Sequence, residues 1–182
     1  YPCAVNWNSL SAADGRGTDV EDIIYTWNSG AGNYGIYQGD AASGTNDVDS
    51  LIAHSQAFWV HAIVASGSLD WQESDKNVTD KAFVRSTGAA TADNWLKVKM
   101  TSTMNSYQDE IILTVKDEAS GDFDEGKDFH KFYSDIKDEV PSLSFVTDDN
   151  YDIAFGSISD MTSSVKLKAF AGSLAQGTYT LD

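Results

Sequence analysis

Asp122, Asp124 and Asp128 stand in a D-x-D-x-x-x-D arrangement around Gly126, with Asp117 and Glu118 just before them. A hard cation such as calcium takes about six to eight oxygen ligands, and carboxylates on a glycine-bent loop can supply them. The candidate metal ligands are Asp117, Asp122, Asp124 and Asp128, with calcium as the candidate cofactor. The spacing is not that of an EF-hand. Counted from Asp122, the sixth position holds Lys127 rather than Gly, and the twelfth holds Tyr133 rather than Glu. A competing account needs no ion: the acids form a solvated turn, and Asp128 caps the start of a short helix.

A second set is aromatic. Trp27, Tyr34, Tyr37 and Trp71 lie beside loops rich in Gly, Asn and Asp, most densely in "WNSGAGNYGIYQGD". A flat exposed ring with polar neighbours suits a sugar, whose apolar face stacks while its hydroxyls bond to nearby side chains. These four are the candidate ligand-binding residues. The alternative is that such rings fill the core, which is the assignment given to Trp59.

Catalytic sets are not evident. The histidines are His54, His61 and His130, and none stands in HExxH; GxSxG and GxxxxGK[ST] do not occur. His61, within an apolar run, reads as a structural histidine. Cys3 is the single cysteine, so no internal disulfide can form. No catalytic residue is assigned, and the chain is read as a non-enzyme.

The charge balance narrows the partners. The 182 residues carry 28 acids against 12 bases, a formal net charge of −16. A phosphate binder needs a basic stripe, and no stretch supplies one. An anionic membrane surface is disfavoured for the same reason. No apolar run is long enough for a membrane-spanning helix. With 41% hydrophobic residues, the chain can bury a core without staples.

The elements that must position these residues are short and β-like. "IIYTW" (Ile23–Trp27) and "YGIY" (Tyr34–Tyr37) flank a Gly- and Asn-rich break. "AFWVHAIVA" (Ala57–Ala65) is apolar on both faces and predicts a buried central strand. "NWLKVKMT", "DEIILTVK" and "SVKLKAFA" alternate with period two, as in an antiparallel sheet half in water. Helical spacing is confined to Asp47–His54 and to Asp128–Ile136, where Phe129, Phe132, Tyr133 and Ile136 would share a face. The expected fold is all-β: an antiparallel two-sheet β-sandwich, jelly-roll-like, with one or two short helical turns. Residues 1–182 are taken as a single module of a longer multidomain protein.

Several segments, in order, resemble a β-sandwich module of large surface and secreted proteins exported by the type IX system of gliding-type bacteria. "YPCAVNWN" (Tyr1–Asn8) is similar to its opening "GNPYPSAIDWN" turn, and "IIYTWNSGAGNYGIYQG" to "IYYWD…GNYATYNG". "IAHSQAFWVHA" (Ile52–Ala62) resembles "IASGQGFFVKA", and "FVRS" (Phe83–Ser86) resembles "FFRS". "EASGDFDEGKDFHKF" (Glu118–Phe132) and "QGTYTL" (Gln176–Leu181) match the family's "ATDGFDxGYDAxKL" and "AGTYTL". Departures are Ser55-Gln56-Ala57 in place of Gly-Gln-Gly, and Cys3 in place of a small Ser.

The resemblance implies a noncatalytic extracellular or cell-surface module for binding or adhesion. A polysaccharide or cell-surface glycan is the leading ligand. The alternative is a structural or self-assembling surface or filament subunit, whose partners are neighbouring copies or domains. A glycoside hydrolase ranks below both. The resemblance also makes the "DFDEGKD" run structural, a loop held against the sandwich through Phe123, Phe129 and Phe132.

Overall fold

The computed structural model describes residues 3–10, 15–78, 81, 95–136, 138–160, 162, 164–171 and 177–182. The Phe83–Ser86 segment lies outside them, as do Tyr1, Pro2 and Gln176. The chain is all-β and sandwich-like; among the described residues, helical structure is limited to 3-10 turns at Trp7–Ser9 and Glu73–Asp75. It divides into two compact units. The first comprises Tyr1–Asn28 and Gly35–Ala90, the second Ser29–Tyr34 and Thr91–Asp182.

The first unit carries two small sheets. In one, β1 (Ala4–Asn6) lies between β5 (Leu51–Ile52) and β6 (Lys76–Asn77), antiparallel to both. The other joins β2 (Ile23–Asn28), β3 (Asn33–Gln38, of which Asn33 and Tyr34 are counted with the second unit) and β4 (Ser43–Gly44) in that order. Val5, Trp7, Leu10, Ile24, Tyr37 and Ile52 form its apolar core with Val48. The indole of Trp7 is fully buried, and its Nε1 donates to Asp22 Oδ1 at 2.8 Å.

The second unit is built on one large sheet, ordered β12-β10-β11-β8-β7-β13, with β9 also on β11. Its strands are β7 (Trp95–Ser102), β8 (Gln108–Val115), β9 (Phe129–His130), β10 (Ser142–Val146), β11 (Asp152–Ile158), β12 (Lys166–Phe170) and β13 (Tyr179–Leu181). β7 and β8 pair antiparallel from Trp95↔Thr114 to Thr101↔Gln108. The ladder of β8 with β11 is parallel, so the sheet is mixed and the expected antiparallel pattern does not extend to this pair. β8 is buried on both faces from Asp109 to Thr114, where alternation predicted one wet face. Phe129 and Phe155 meet edge to face at 5.7 Å in this core.

Three expectations are corrected. Asp128–Ile136 is not a helix: β9 pairs with β11, and the burial of Phe129 and Lys131 on either side of His130 follows period two. Ala57–Ala65 is not a buried central strand. It runs antiparallel beside β2, with Tyr25 and Trp59 exchanging both backbone hydrogen bonds at 2.9 Å. Phe58 and Val60 turn toward the first unit's core, so Trp59 turns outward and is 59% exposed. The third is β12, where every residue is exposed although Leu167 and Ala169 were expected to face a core; β12 is an edge strand.

Candidate functional site

The acidic loop between β8 and β9 closes on itself and on β11. Asp128 Oδ2 accepts from Asp124 N at 2.9 Å, and Asp128 Oδ1 accepts from Ser157 N at 2.8 Å. Asp124 Oδ2 accepts from Ser120 N at 2.6 Å, while Asp124 O accepts from Lys127 N and Asp128 N. Gly126 turns the chain at φ +79°, a conformation that favours glycine. Lys127 Nζ donates to the carbonyl of Glu118 at 2.7 Å, so a cation of the chain itself lies over the loop's entry. Phe123 stacks on His130 with ring centroids 4.4 Å apart, and Tyr151 lies against both. Phe123 thus seats the loop on His130 and Phe129 lies in the core against Phe155, while Phe132, the third ring the resemblance implies, meets Tyr34.

The loop forms one wall of a cavity of about 380 Å³ within the second unit. Its apolar floor comes from Leu113, Phe145, Ile153, Ile158 and Val165. Ser120, Thr147, Ser157, Ser159 and Ser164 bring hydroxyls to the lining, and Asp128, Asp148 and Lys166 bring charge. Asp148 and Lys166 pair at 2.9 Å, both well exposed. Asp128 differs from them: it is 2% exposed. Burial pushes its carboxyl up to about 6 despite the two N–H donors that favour the charged form, with Asp124 adding to the rise and Lys127 opposing it.

Of the proposed calcium ligands, Asp124 and Asp128 accept from backbone donors of the loop and, for Asp128, also of β11, while Asp117 and Asp122 are exposed. Among the described residues no group of three or more His, Cys, Asp or Glu side chains is disposed to hold a metal ion.

The aromatic candidates fare differently. Tyr37 is 5% exposed, part of the first unit's core, and its hydroxyl bonds to the Asn8 side chain, so its ring offers no face to a ligand. Trp71 packs on that core edge-on to Phe58 at 6.3 Å. Tyr34, in the second unit, meets Phe132 edge to face at 5.8 Å. Trp27 is the exposed member, at 36%.

Two features escaped the sequence reading. Lys131 and Asp109 form an ion pair at 2.6 Å with both side chains buried, and Leu143 N donates to the same carboxylate at 2.7 Å. The period-two burial of Phe129 and Lys131 was the available signal, obscured by the helical spacing of the neighbouring aromatics. The cavity had none, because its lining comes from residues far apart in sequence that are individually unremarkable.

No family model matches the chain, nor does any curated protein or solved structure. No helix among the described residues is long and apolar enough to cross a membrane.

Proposed function

We propose that the chain is a noncatalytic binding module of an extracellular or cell-surface protein, and that its ligand is a saccharide unit seated in the second unit's cavity. The observation that carries this reading is the cavity itself. At about 380 Å³ it lies within the range of small-ligand sites. An apolar floor suits the C–H face of a sugar ring, and the hydroxyls around it suit the sugar's own. The lining offers neither His nor Cys, and its two carboxylates already have partners: Asp128 on two N–H groups, Asp148 on Lys166. That favours holding a ligand over transferring a proton. The excess of acids and the resemblance to surface modules support an external setting.

Glycan-array screening followed by calorimetric titration tests the reading. Ser164→Trp, which places a large ring at an exposed lining position, should abolish binding and leave the melting temperature unchanged. Absence of saccharide binding by the wild-type protein would reject the reading.

A second reading, a self-assembling surface subunit, is favoured by the sheet's ends. β12 and β13 are the terminal strands, and Leu167, Phe170 and Leu181 are exposed on them. Open edges invite strand addition, although Lys166 and Lys168 on β12 are residues that discourage it. Mass measurement across a concentration series discriminates: a strict monomer rejects assembly.

A further inference from the structure

We propose that the ligand of this cavity is a neutral oligosaccharide of two or more units, one seated in the cavity and the next stacked on Tyr151. The inference rests on the binding reading above and assigns it a ligand length and a second subsite. Phe145 of β10 and Ile153 of β11 are direct partners in the sheet, and both line the cavity. One step along the same face stand Thr147, which also lines it, and Tyr151. These two meet across the hairpin: Thr147 N donates to Tyr151 O at 3.1 Å, and Tyr151 N to Thr147 Oγ1 at 2.9 Å. Side chains two apart along a strand share a face, about 6.6 Å from one another. Tyr151 therefore stands on the cavity's side of the sheet, beside Ile153 and about one sugar unit from the floor.

The ring at this position is both held and open. Its centroid lies 5.2 Å from that of Phe123 and 5.5 Å from that of His130, and those two rings are stacked on each other. His130 comes from β9, opposite Ile153, so the cluster is anchored to the same face. Tyr151 nevertheless stays 48% exposed. A ring already fixed by its neighbours loses little further freedom when a ligand covers it, which favours binding. Stacking asks only for the C–H face of a sugar. The surroundings select its charge. Asp148 and Asp149 stand in the turn before Tyr151, and Asp122 is beside Phe123. Lys166 and Lys168, on β12, are engaged by Asp148 and Asp152. An acidic sugar would meet like charge here, whereas the hydroxyls of a neutral one can donate to carboxylates.

The experiment is a screen of mono-, di- and trisaccharides of glucose, galactose, mannose and N-acetylglucosamine, followed by calorimetric titration of the series that binds. The disaccharide should bind about tenfold more tightly than its monosaccharide. Tyr151→Ala should bring the disaccharide down to the monosaccharide's affinity and leave the monosaccharide unchanged, which also shows that the variant is folded. Tyr151→Phe should keep the preference. If Tyr151→Ala does not fold, the ring resonances of Tyr151 in the wild-type protein decide, assigned with Tyr151→Phe: they should shift with the disaccharide and not with the monosaccharide. Equal affinity for the two lengths, or a preference that survives Tyr151→Ala, overturns the inference and leaves the cavity reading standing. Tighter binding of a glucuronate-bearing disaccharide than of its neutral counterpart does the same. Disaccharide binding that survives Ser164→Trp also overturns it, because Tyr151 would then act apart from the cavity. Failure to bind any saccharide here and on the array removes both.

Discussion

The aromatic residues of the first unit and the acidic loop of the second met opposite fates. In the first unit, rings with the look of a sugar platform are largely packing material: Tyr37 is core, and Trp71 braces Phe58. In the second, charges with the look of a solvated skin are drawn inside. Asp128 lines a cavity, and Asp109 and Lys131 are buried against each other. The difference follows from what each side chain can satisfy. A ring needs only apolar neighbours to be buried, and the first unit's small sheets leave space for large ones. A carboxylate goes inside only where donors meet it: strand N–H groups of Glu110 and Leu143 meet Asp109, and loop N–H groups meet Asp124 and Asp128.

The largest effect should come from the buried pair. Asp109→Ala removes the partner of Lys131 and the acceptor of Leu143 N, leaving a cation stranded in the core. Its expected cost is about 3–5 kcal/mol in urea unfolding. A loss under about 1 kcal/mol would mean that Lys131 reaches water in solution, and the polar interior of the second unit would lose its special status.

Next, the first unit's aromatics should separate by burial. Tyr37→Ala empties a core position and deprives Asn8 of a partner, for an expected loss of about 3 kcal/mol. Trp27→Ala, at an exposed ring, should cost no more than about 1 kcal/mol. Equal costs would break the comparison by making Trp27 as much a packing residue as Tyr37.

The all-β class was legible because period two survives in the residues themselves: Leu96, Val98 and Met100 pair with Leu113, Ile111 and Asp109 in register. Position within a sheet was not legible. Ala57–Ala65 is as apolar as an interior strand and Ser164–Ala171 alternates like a half-buried one, yet the first flanks β2 with Trp59 outward and the second holds an edge strand with both faces exposed. Hydropathy counts apolar side chains but does not say whether a neighbouring layer reaches them. The loop from Glu118 to Asp128 was legible as a structural turn. Its cavity was not, since Phe145, Ile158 and Lys166 meet it only through the fold.

A smaller effect isolates Asp128. Its carboxyl is raised from 3.8 to about 6 in the folded chain, so between these values the folded state binds more protons than the unfolded one. The stability this group contributes is present below about pH 4 and is lost as pH rises through 6. Asp128→Asn should flatten that segment of the stability profile by about 1–2 kcal/mol relative to the wild-type protein. An unaltered slope would place Asp128 in contact with water, and the contrast with exposed Asp148 would vanish.

The smallest expected effect is none. The loop has its own internal supports: Lys127 over the carbonyls of Asp117 and Glu118, N–H groups on Asp124 and Asp128, and Phe123 stacked on His130. A chelator such as EDTA should therefore leave the melting temperature within about 1 °C, because an ion stabilises a fold only in proportion to its binding to the folded state. A clear fall, reversed by added calcium, would mean that Asp117 and Asp122 swing in beside Asp124 and Asp128 and that the loop is completed by a cation from solution. The acidic loop would then depend on something outside the chain, whereas the aromatic core of the first unit depends on nothing but itself.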